Sequence, residues 1–392
     1  MSFFDSIRIG ASGASEDFTV DRSLRFNDDD NAYLERTPSS AGNRTTFTLS
    51  VWLKRASNLD NFQRILEAGT STGHRTFFTF DGDDKLEINH RDSGSEAVNL
   101  TTTARFRDIS AWYHILLAID TTQSTSSDRI KIYVNGTQQT DFDTSTYPNS
   151  SKEFDINSTA VHYFGRSVNN TGKFDGYLAE INFVDGYAYD SSYFGETNAI
   201  TGQWNPKKYI GSYGTNGYYL NFSDNSGTTA TTLGKDSSGN SNNFTPNNFS
   251  VAAGAGNDSV EDTPTNNFPT FNPLCENNNH TYSEGNLKVT YAANNQSGNV
   301  TTMSSPKTGK WYWEVRALDN YLFIGVTANT YLGTGNIITA TNTGGSTVAY
   351  YSSGDKYVGG SSSTYNNQSY TNGDLIGVAL DMDNGQVTFY KN

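Results

Sequence analysis

The chain has 392 residues and a formal net charge of −14, and it carries 24 Tyr and 23 Phe although hydrophobic residues make up only 34% of it. An acidic chain without basic clusters excludes nucleic acid and anionic membrane surfaces as partners, because phosphate contact needs Lys and Arg, and no apolar stretch approaches the length of a membrane helix. The single cysteine, Cys275, excludes internal disulfides and cysteine-based zinc sites.

Length sets two domains as the expectation. Abundant Gly, Asn, Ser and Thr beside large aromatics favours turns and strands over helices, so the expected class is all-β. The first residues lack the apolar core of a signal peptide, which predicts a soluble protein made in a cytoplasm. Asn-x-Ser/Thr triplets such as Asn135-Gly-Thr arise by chance in so Asn-rich a chain.

Residues 1–21 read as a tail whose only aliphatic, strand-like positions are Ile7 and Ile9. The tail is either a disordered terminus or a docking peptide. From 22 to 190, strand follows strand, with polar turns between them and no helical pattern: "SLRF", "AYLER", "TFTLSVWLKR", "RTFFTF", "KLEINH", "AWYHILLAID", "RIKIYVNG", "VHYFGR" and "YLAEINFV". In Phe47–Leu53 the odd positions are apolar, and Trp52 breaks the alternation. This is the signature of one antiparallel sandwich or barrel. Residues 191–267 are Gly, Asn and Ser rich, with islands such as Tyr218–Phe222. They predict a connector that packs its aromatics on a neighbour and ends in a linker near 252–265. Strands return over 268–392, closing on "GDLIGVALDMDNGQVTFYKN". There Asn384-Gly385 predicts a two-residue hairpin turn, and Val387–Tyr390 forms an edge strand. An open edge invites pairing, so either the natural sequence continues or a partner strand covers it.

These segments carry resemblances. "SLRFNDDDNAYLER", "FTLSVWLKR", "AWYHILLAID" with "DRIKIYVNG", and "KFDGYLAEINFVDGYAYD" resemble a laminin G-like, concanavalin A-like jelly roll over 22–190. In the last stretch that family usually has an acidic pair; here Ala179 replaces the first acid and Glu180 remains. "GKWYWEV", "IGV" and the closing stretch resemble a SPRY domain, so a second, SPRY-like β-sandwich is expected, incomplete at its C-terminal end. The order of segments along nearly the whole chain is similar to that of tail-fibre-like virion proteins of marine, cyanophage-like bacteriophages. That resemblance implies a virion component assembled in a host cytoplasm, attached to other tail or capsid proteins through the Ile7/Ile9 tail. By analogy with fibres it is a homotrimer contacting a host-surface glycan or receptor. Sandwich folds host many functions, so these implications are associational.

Concanavalin A-like glycosidases place paired acids as Glu-x-Asp-x-x-Glu on one strand. The nearest match is Glu153-Phe-Asp155, with Ser158 where the second Glu belongs. His74, His90, His114, His162 and His280 form no metal spacing, and His114 reads as a packed, satisfied core histidine. No nucleophile elbow or Walker loop occurs, so catalysis is disfavoured. Hard carboxylates on turns, Asp28-Asp29-Asp30 and Asp81-Gly-Asp83-Asp84, suit calcium or are simply solvated turns, and the family resemblance adds Asp175. For sugars, Tyr350, Tyr351, Tyr357, Tyr365 and Tyr370, set among Ser, Gly and Asn, are candidate stacking residues; ordinary packing is the alternative. The expected function is non-enzymatic host-surface attachment. The rivals are a capsid decoration or appendage scaffold without a ligand, and a polysaccharide-degrading enzyme.

Overall fold

The computed structural model describes residues 18–56, 59, 61–253, 256–273, 280–291, 308–327, 347–365 and 368–392. Ile7 and Ile9 lie outside the described residues. The chain is all-β and forms two compact units, 1–268 with 283–288, and 269–282 with 289–392. No helix among the described residues is long and apolar enough to cross a membrane.

The first unit opens with β1 (Ser23–Phe26), β2 (Tyr33–Arg36), β3 (Thr46–Arg55), β4 (Gln63–Ser71), β5 (His74–Phe80), β6 (Lys85–Asp92) and β7 (Ser95–Arg105). It continues with β8 (Tyr113–Asp120), β9 (Ile130–Val134), β10 (Thr137–Gln138), β11 (Phe142–Thr146), β12 (Val161–Phe164) and β13 (Gly176–Asp185). The 191–267 segment adds β14 (Gly195–Thr197), β15 (Trp204–Pro206), β16 (Tyr218–Leu220), β17 (Thr245–Asn247) and β18 (Ser259–Val260). Two sheets result. The first runs β10-β9-β8-β3-β13-β1-β18, with β16 also on β13; the second runs β11-β7-β6-β5-β4-β12-β2-β17. The alternation seen in the sequence builds the core between them: Leu49, Val51 and Leu53 of β3 and Ile115, Leu117 and Ile119 of β8 meet Phe78, Phe80, Leu86 and Ile88 of the second sheet.

Both faces of the first sheet are buried. Trp52, which breaks the alternation, faces outward with Ser50 and Lys54, yet β3 is buried along almost its whole length because the 191–267 segment covers it. That segment is part of the first unit. β18 pairs with β1 through Ser23↔Val260, and β17 pairs with β2 through Pro246↔Leu34. The expected linker near 252–265 is therefore corrected: Asp258, Ser259 and Asp262 are buried, and ion pairs hold the two acids. Arg25 Nη2 meets Asp258 at 2.9 Å and Glu284 at 2.6 Å, and Lys54 Nζ meets Asp262 at 2.9 Å. Composition makes this stretch look solvated because small and polar residues dominate it, while two buried acids decide its position.

β19 (His280–Ser283) pairs with β20 (Lys288–Tyr291), and in the second unit β21 (Lys310–Arg316), β26 (Leu375–Asp381) and β27 (Gln386–Lys391) form a sheet in the order β21-β26-β27. β22 (Phe323–Thr327), β23 (Thr347–Tyr351), β24 (Asp355–Val358) and β25 (Ser361–Thr364) form a four-stranded sheet in that order. Ile324, Tyr350, Tyr370, Ile376, Val378 and Phe389 form the core. The β26–β27 turn differs from expectation. Asp381 pairs with Gln386, so four residues loop, with positive φ only at Gly385 (63°) and Asp381 Oδ1 accepting from Asn384 N at 3.1 Å. The Asp381 side chain closes a wider loop than Asn-Gly alone requires. Among the described residues β27 pairs only with β26 and is an edge.

Asp262 accepts from Lys54 Nζ, Trp112 Nε1 (3.0 Å) and Phe268 N (3.2 Å). Asp262→Ala strands the fully buried Lys54 ammonium, and the expected loss is about 3–5 kcal/mol of unfolding free energy, checked by urea denaturation.

Candidate functional site

The candidate site lies on the outward face of the second sheet. Along β5, β6 and β7, Phe78, Phe80, Leu86, Ile88, Val98 and Leu100 point into the core, so the intervening Phe77, Thr79, Glu87, Asn89, Asn99 and Thr101 point out. They are nonetheless largely covered: Glu87 is 8% exposed and Asn89 1%. Arg64 and Arg75 lie over the Phe77 ring at 4.0 and 5.0 Å, and both pair with Glu67 (2.9 and 3.3 Å). Burial lowers the Arg64 pKa while Glu67 opposes that shift. These residues form a rigid charged floor.

Beside it a groove of about 510 Å³ is lined by Phe62, Asp81, Asp83, Lys85, Glu87, Asn99, Thr101 and Asp143. Phe62 stands 51% exposed at its margin. Cross-strand amides hold the polar groups. Asn89 Nδ2 donates to Glu87 Oε1 (2.9 Å) and Glu96 Oε2 (2.7 Å), Asn99 Nδ2 donates to Glu96 Oε1 (3.1 Å), and Thr101 Oγ1 donates to Asn99 Oδ1 (2.8 Å). Asn89 sits opposite Asn99 in the β6–β7 register, which is why each amide reaches the same carboxylate. Burial raises the Glu87 pKa, and the Asn89 hydrogen bond opposes the rise. Among the described residues, the buried Asn89 Oδ1, Arg75 Nε and Arg91 Nε make no hydrogen bond within the protein. Each such group left dry costs about 1–3 kcal/mol, so an ordered water belongs there. The groove offers carboxylates, an amide and a hydroxyl in fixed positions, the Lys85 ammonium and one exposed ring.

Several expected site residues lie elsewhere. Tyr350 and Tyr370 are corrected to core: they are 2% and 1% exposed, and Tyr370 Oη donates to Leu322 O at 2.6 Å. Tyr365 packs on Phe389 at 6.1 Å. Only Tyr351 and Tyr357 share an outer face, where Phe323 stacks on Tyr351 at 4.2 Å. Among the described residues, no three His, Cys, Asp or Glu side chains are grouped to hold a metal. Asp28, Asp29, Asp30 and Asp175 therefore do not converge. Asp30 Oδ2 instead accepts from Asn27 Nδ2 at 2.8 Å, and Asp175 is buried with its carbonyl accepting from Ala56 N. The 81–84 turn is structural at its end, where buried Asp84 pairs with Arg55 (2.8 Å) and Arg107 (2.7 Å). The Glu153/Asp155 pair is split: Glu153 meets Arg44 at 2.6 Å, and Asp155 lies 3.7 Å from His90 Nδ1.

His114 is the packed histidine its strand position predicts, but on the covered outer face. It lies between Trp52 (5.0 Å) and Trp204 (5.9 Å), accepts from Trp204 Nε1 at Nδ1 (3.0 Å), and so donates from Nε2 to Ser50 Oγ (2.8 Å). Sequence reasoning misses the groove because its residues are the polar half of alternating strands, which composition reads as solvated. The signal lies in Asn89 and Asn99 flanking a tight β6–β7 turn with Glu87 and Glu96.

Residues 27–190 match the family model of the concanavalin A-like lectin/glucanases superfamily, and residues 310–392 match that of the SPRY domain. No curated protein matches the chain. Among solved structures, the chain is similar to a SAP-like pentraxin from Limulus polyphemus (14% identity, 44% of this chain and 79% of that one, TM-score 0.33). It is also similar to the sialidase CBM40 of Ruminococcus gnavus (13%, 41% and 94%, 0.30) and to domains LG4-5 of the mouse laminin alpha1 chain (8%, 97% and 80%, 0.35). Scores this low carry no functional argument.

Burial holds the pKa values of His90, His114 and His162 at about 4, 3 and 4, below the ordinary 6.5. The unfolded chain therefore binds more protons in that interval, and the stability these rings contribute is present above pH 6.5 and lost as pH falls toward 4 and 3. Glu180 opposes them: burial raises its pKa to about 7, so its contribution is present below 4.5 and lost as pH rises through 7. Burial also raises Asp28, Glu87, Asp155 and Asp258 in the same sense as Glu180 but less strongly. Among the most displaced groups three rings outweigh one carboxyl, so the expected urea midpoint is lower at about pH 5 than at about pH 6.5, and the three ring resonances stay those of neutral imidazole at about pH 5.

Proposed function

We propose that this is a non-enzymatic surface-binding protein that takes a glycan in the groove over β6 and β7. The carrying observation is that Glu87, Asn99 and Thr101 line the groove beside exposed Phe62 and are held in place by hydrogen bonds through Asn89 and Glu96. Sugar recognition uses such fixed amides and carboxylates for hydroxyls and a ring for the apolar sugar face. The match to a lectin/glucanase superfamily model supports this reading.

At the level of the organism, we propose a tail fibre or related appendage of a tailed phage. It would be homotrimeric, joined to other virion proteins through the segment around Ile7 and Ile9, and would contribute to attachment to a host-surface glycan. The segment order of the sequence supports this. A native mass of one or two chains would sink the trimer. Binding to fibre-less virions without binding to cells would favour the scaffold role.

One observation favours a hydrolase as second reading. Glu87 and Glu96 accept from the same Asn89 amide nitrogen, and their environments differ: burial raises the Glu87 pKa, whereas Glu96 is exposed. Carboxyl pairs with divergent environments are what glycoside hydrolysis needs.

The test is a host-polysaccharide array followed by calorimetry. Wild type binds saturably, and Asn99→Ala and Phe62→Ala each weaken binding about tenfold, the worth of one hydrogen bond or stacked ring. Release of reducing ends, abolished in Glu87→Gln, would replace the binding reading with the hydrolase.

A further inference from the structure

A second cleft lies on the opposite side of the first unit, where the 191–267 segment crosses the outer face of the first sheet. It encloses about 420 Å³, within the range of small-molecule sites, and its walls are three indoles, those of Trp52, Trp112 and Trp204. Three carboxamide side chains, Asn135, Gln203 and Asn267, complete the lining with Ala111, Gly202 and Pro264. No Asp, Glu, Lys or Arg among the described residues lines it.

The charges nearby are spent. Beneath the cleft, Asp262 is occupied by Lys54, Trp112 and Phe268, and Asn267 Oδ1 also accepts from Lys54 Nζ at 2.8 Å. His114 is neutral, with both ring nitrogens engaged. A charged ligand would lose its hydration here and gain no counter-ion. The amides are not all spent. Asn135 Oδ1 accepts from His114 N at 2.8 Å, but among the described residues the Asn135 side-chain nitrogen and the Gln203 side-chain amide make no hydrogen bond within the protein. Indole walls favour a C–H face and a methyl group, and carboxamides match another amide as donor and acceptor together.

We propose that this cleft binds an uncharged, acetamido-bearing pyranose. The pyranose face and the acetyl methyl lie against the indoles, and the acetamide pairs with Asn135 and Gln203. The site is separate from the β6–β7 groove and does not depend on it.

The two readings are separable by signal, because the groove lining contains no tryptophan among the described residues and the cleft lining contains three of the five in the chain. The experiment titrates the full chain with N-acetylglucosamine trimer, maltotriose and sialyllactose, reading tryptophan fluorescence. The expected result is a saturable change with the N-acetylglucosamine trimer that neither other sugar gives. Gln203→Ala should raise its Kd about tenfold, the cost of one hydrogen bond. Ala111→Phe, at the cleft wall, should abolish the change with the melting temperature held within a few degrees. Trp204→Ala is avoided because that ring also anchors the segment. No saturable change with the acetamido sugar, an equal response to maltotriose or sialyllactose, or an unchanged Kd in a folded Ala111→Phe protein would each overturn the proposal.

Discussion

The first sheet has two apolar faces, and only one can be buried by the second sheet. The rest of the first unit is built to cover the other. Trp52, Leu116, Ala118, Tyr177, Ala179 and Val184 would stand in water on a bare jelly roll. Residues 191–267 cover them with Phe194, Trp204, Tyr209 and Tyr213, and the buried charge of Lys54 is met by Asp262 from the same stretch. The cover is fitted closely. A Cβ on Gly136 or Gly195 would lie 2.6 or 2.5 Å from the Trp204 ring, so glycine at both positions lets the indole seat against His114. A domain boundary drawn at 190 would cut through this layer and expose it.

Much of this was legible in the sequence, and the reasons for the rest are physical. Period-two alternation marks β3 because one of its faces is core, whereas β8 and β13 show as apolar runs because both their faces are covered. Trp52 was visible as an exception, but a sequence shows only that an outward tryptophan needs a cover, not which segment supplies it. The stretch at 252–265 reads as a linker because small and polar residues surround Asp258 and Asp262, whose partners Arg25 and Lys54 lie more than two hundred residues earlier. Tyr350 and Tyr370 sit in a run that looks like a binding loop, yet strand register turns Tyr350 inward and Tyr370 packs on it in the same core. The carboxylates at the groove escaped a search along single strands because Glu87 and Glu96 lie on neighbouring ones, joined by Asn89.

The two faces of the first unit thus differ in chemistry. The second sheet presents carboxylates, an amide and the Lys85 ammonium around Phe62, a surface suited to many hydroxyls. The first sheet, under its cover, presents indoles and amides without charge. One fold layer supplies the polar surface directly, and the other acquires its cleft only because a later part of the chain returns to it.

That return also fixes how the unit would carry tension. Ser23 lies opposite Val260, Ser23 Oγ donates to Asp262 O at 2.6 Å, and Val20 N donates to Thr265 Oγ1 at 3.0 Å. Residues 20 and 265 are thus neighbours in space. A pull applied between them is borne by this short seam and its Lys54–Asp262 anchor, while the strands carrying the groove lie outside the load path. A groove arranged in this way keeps its shape under strain until the seam itself peels, one pair at a time.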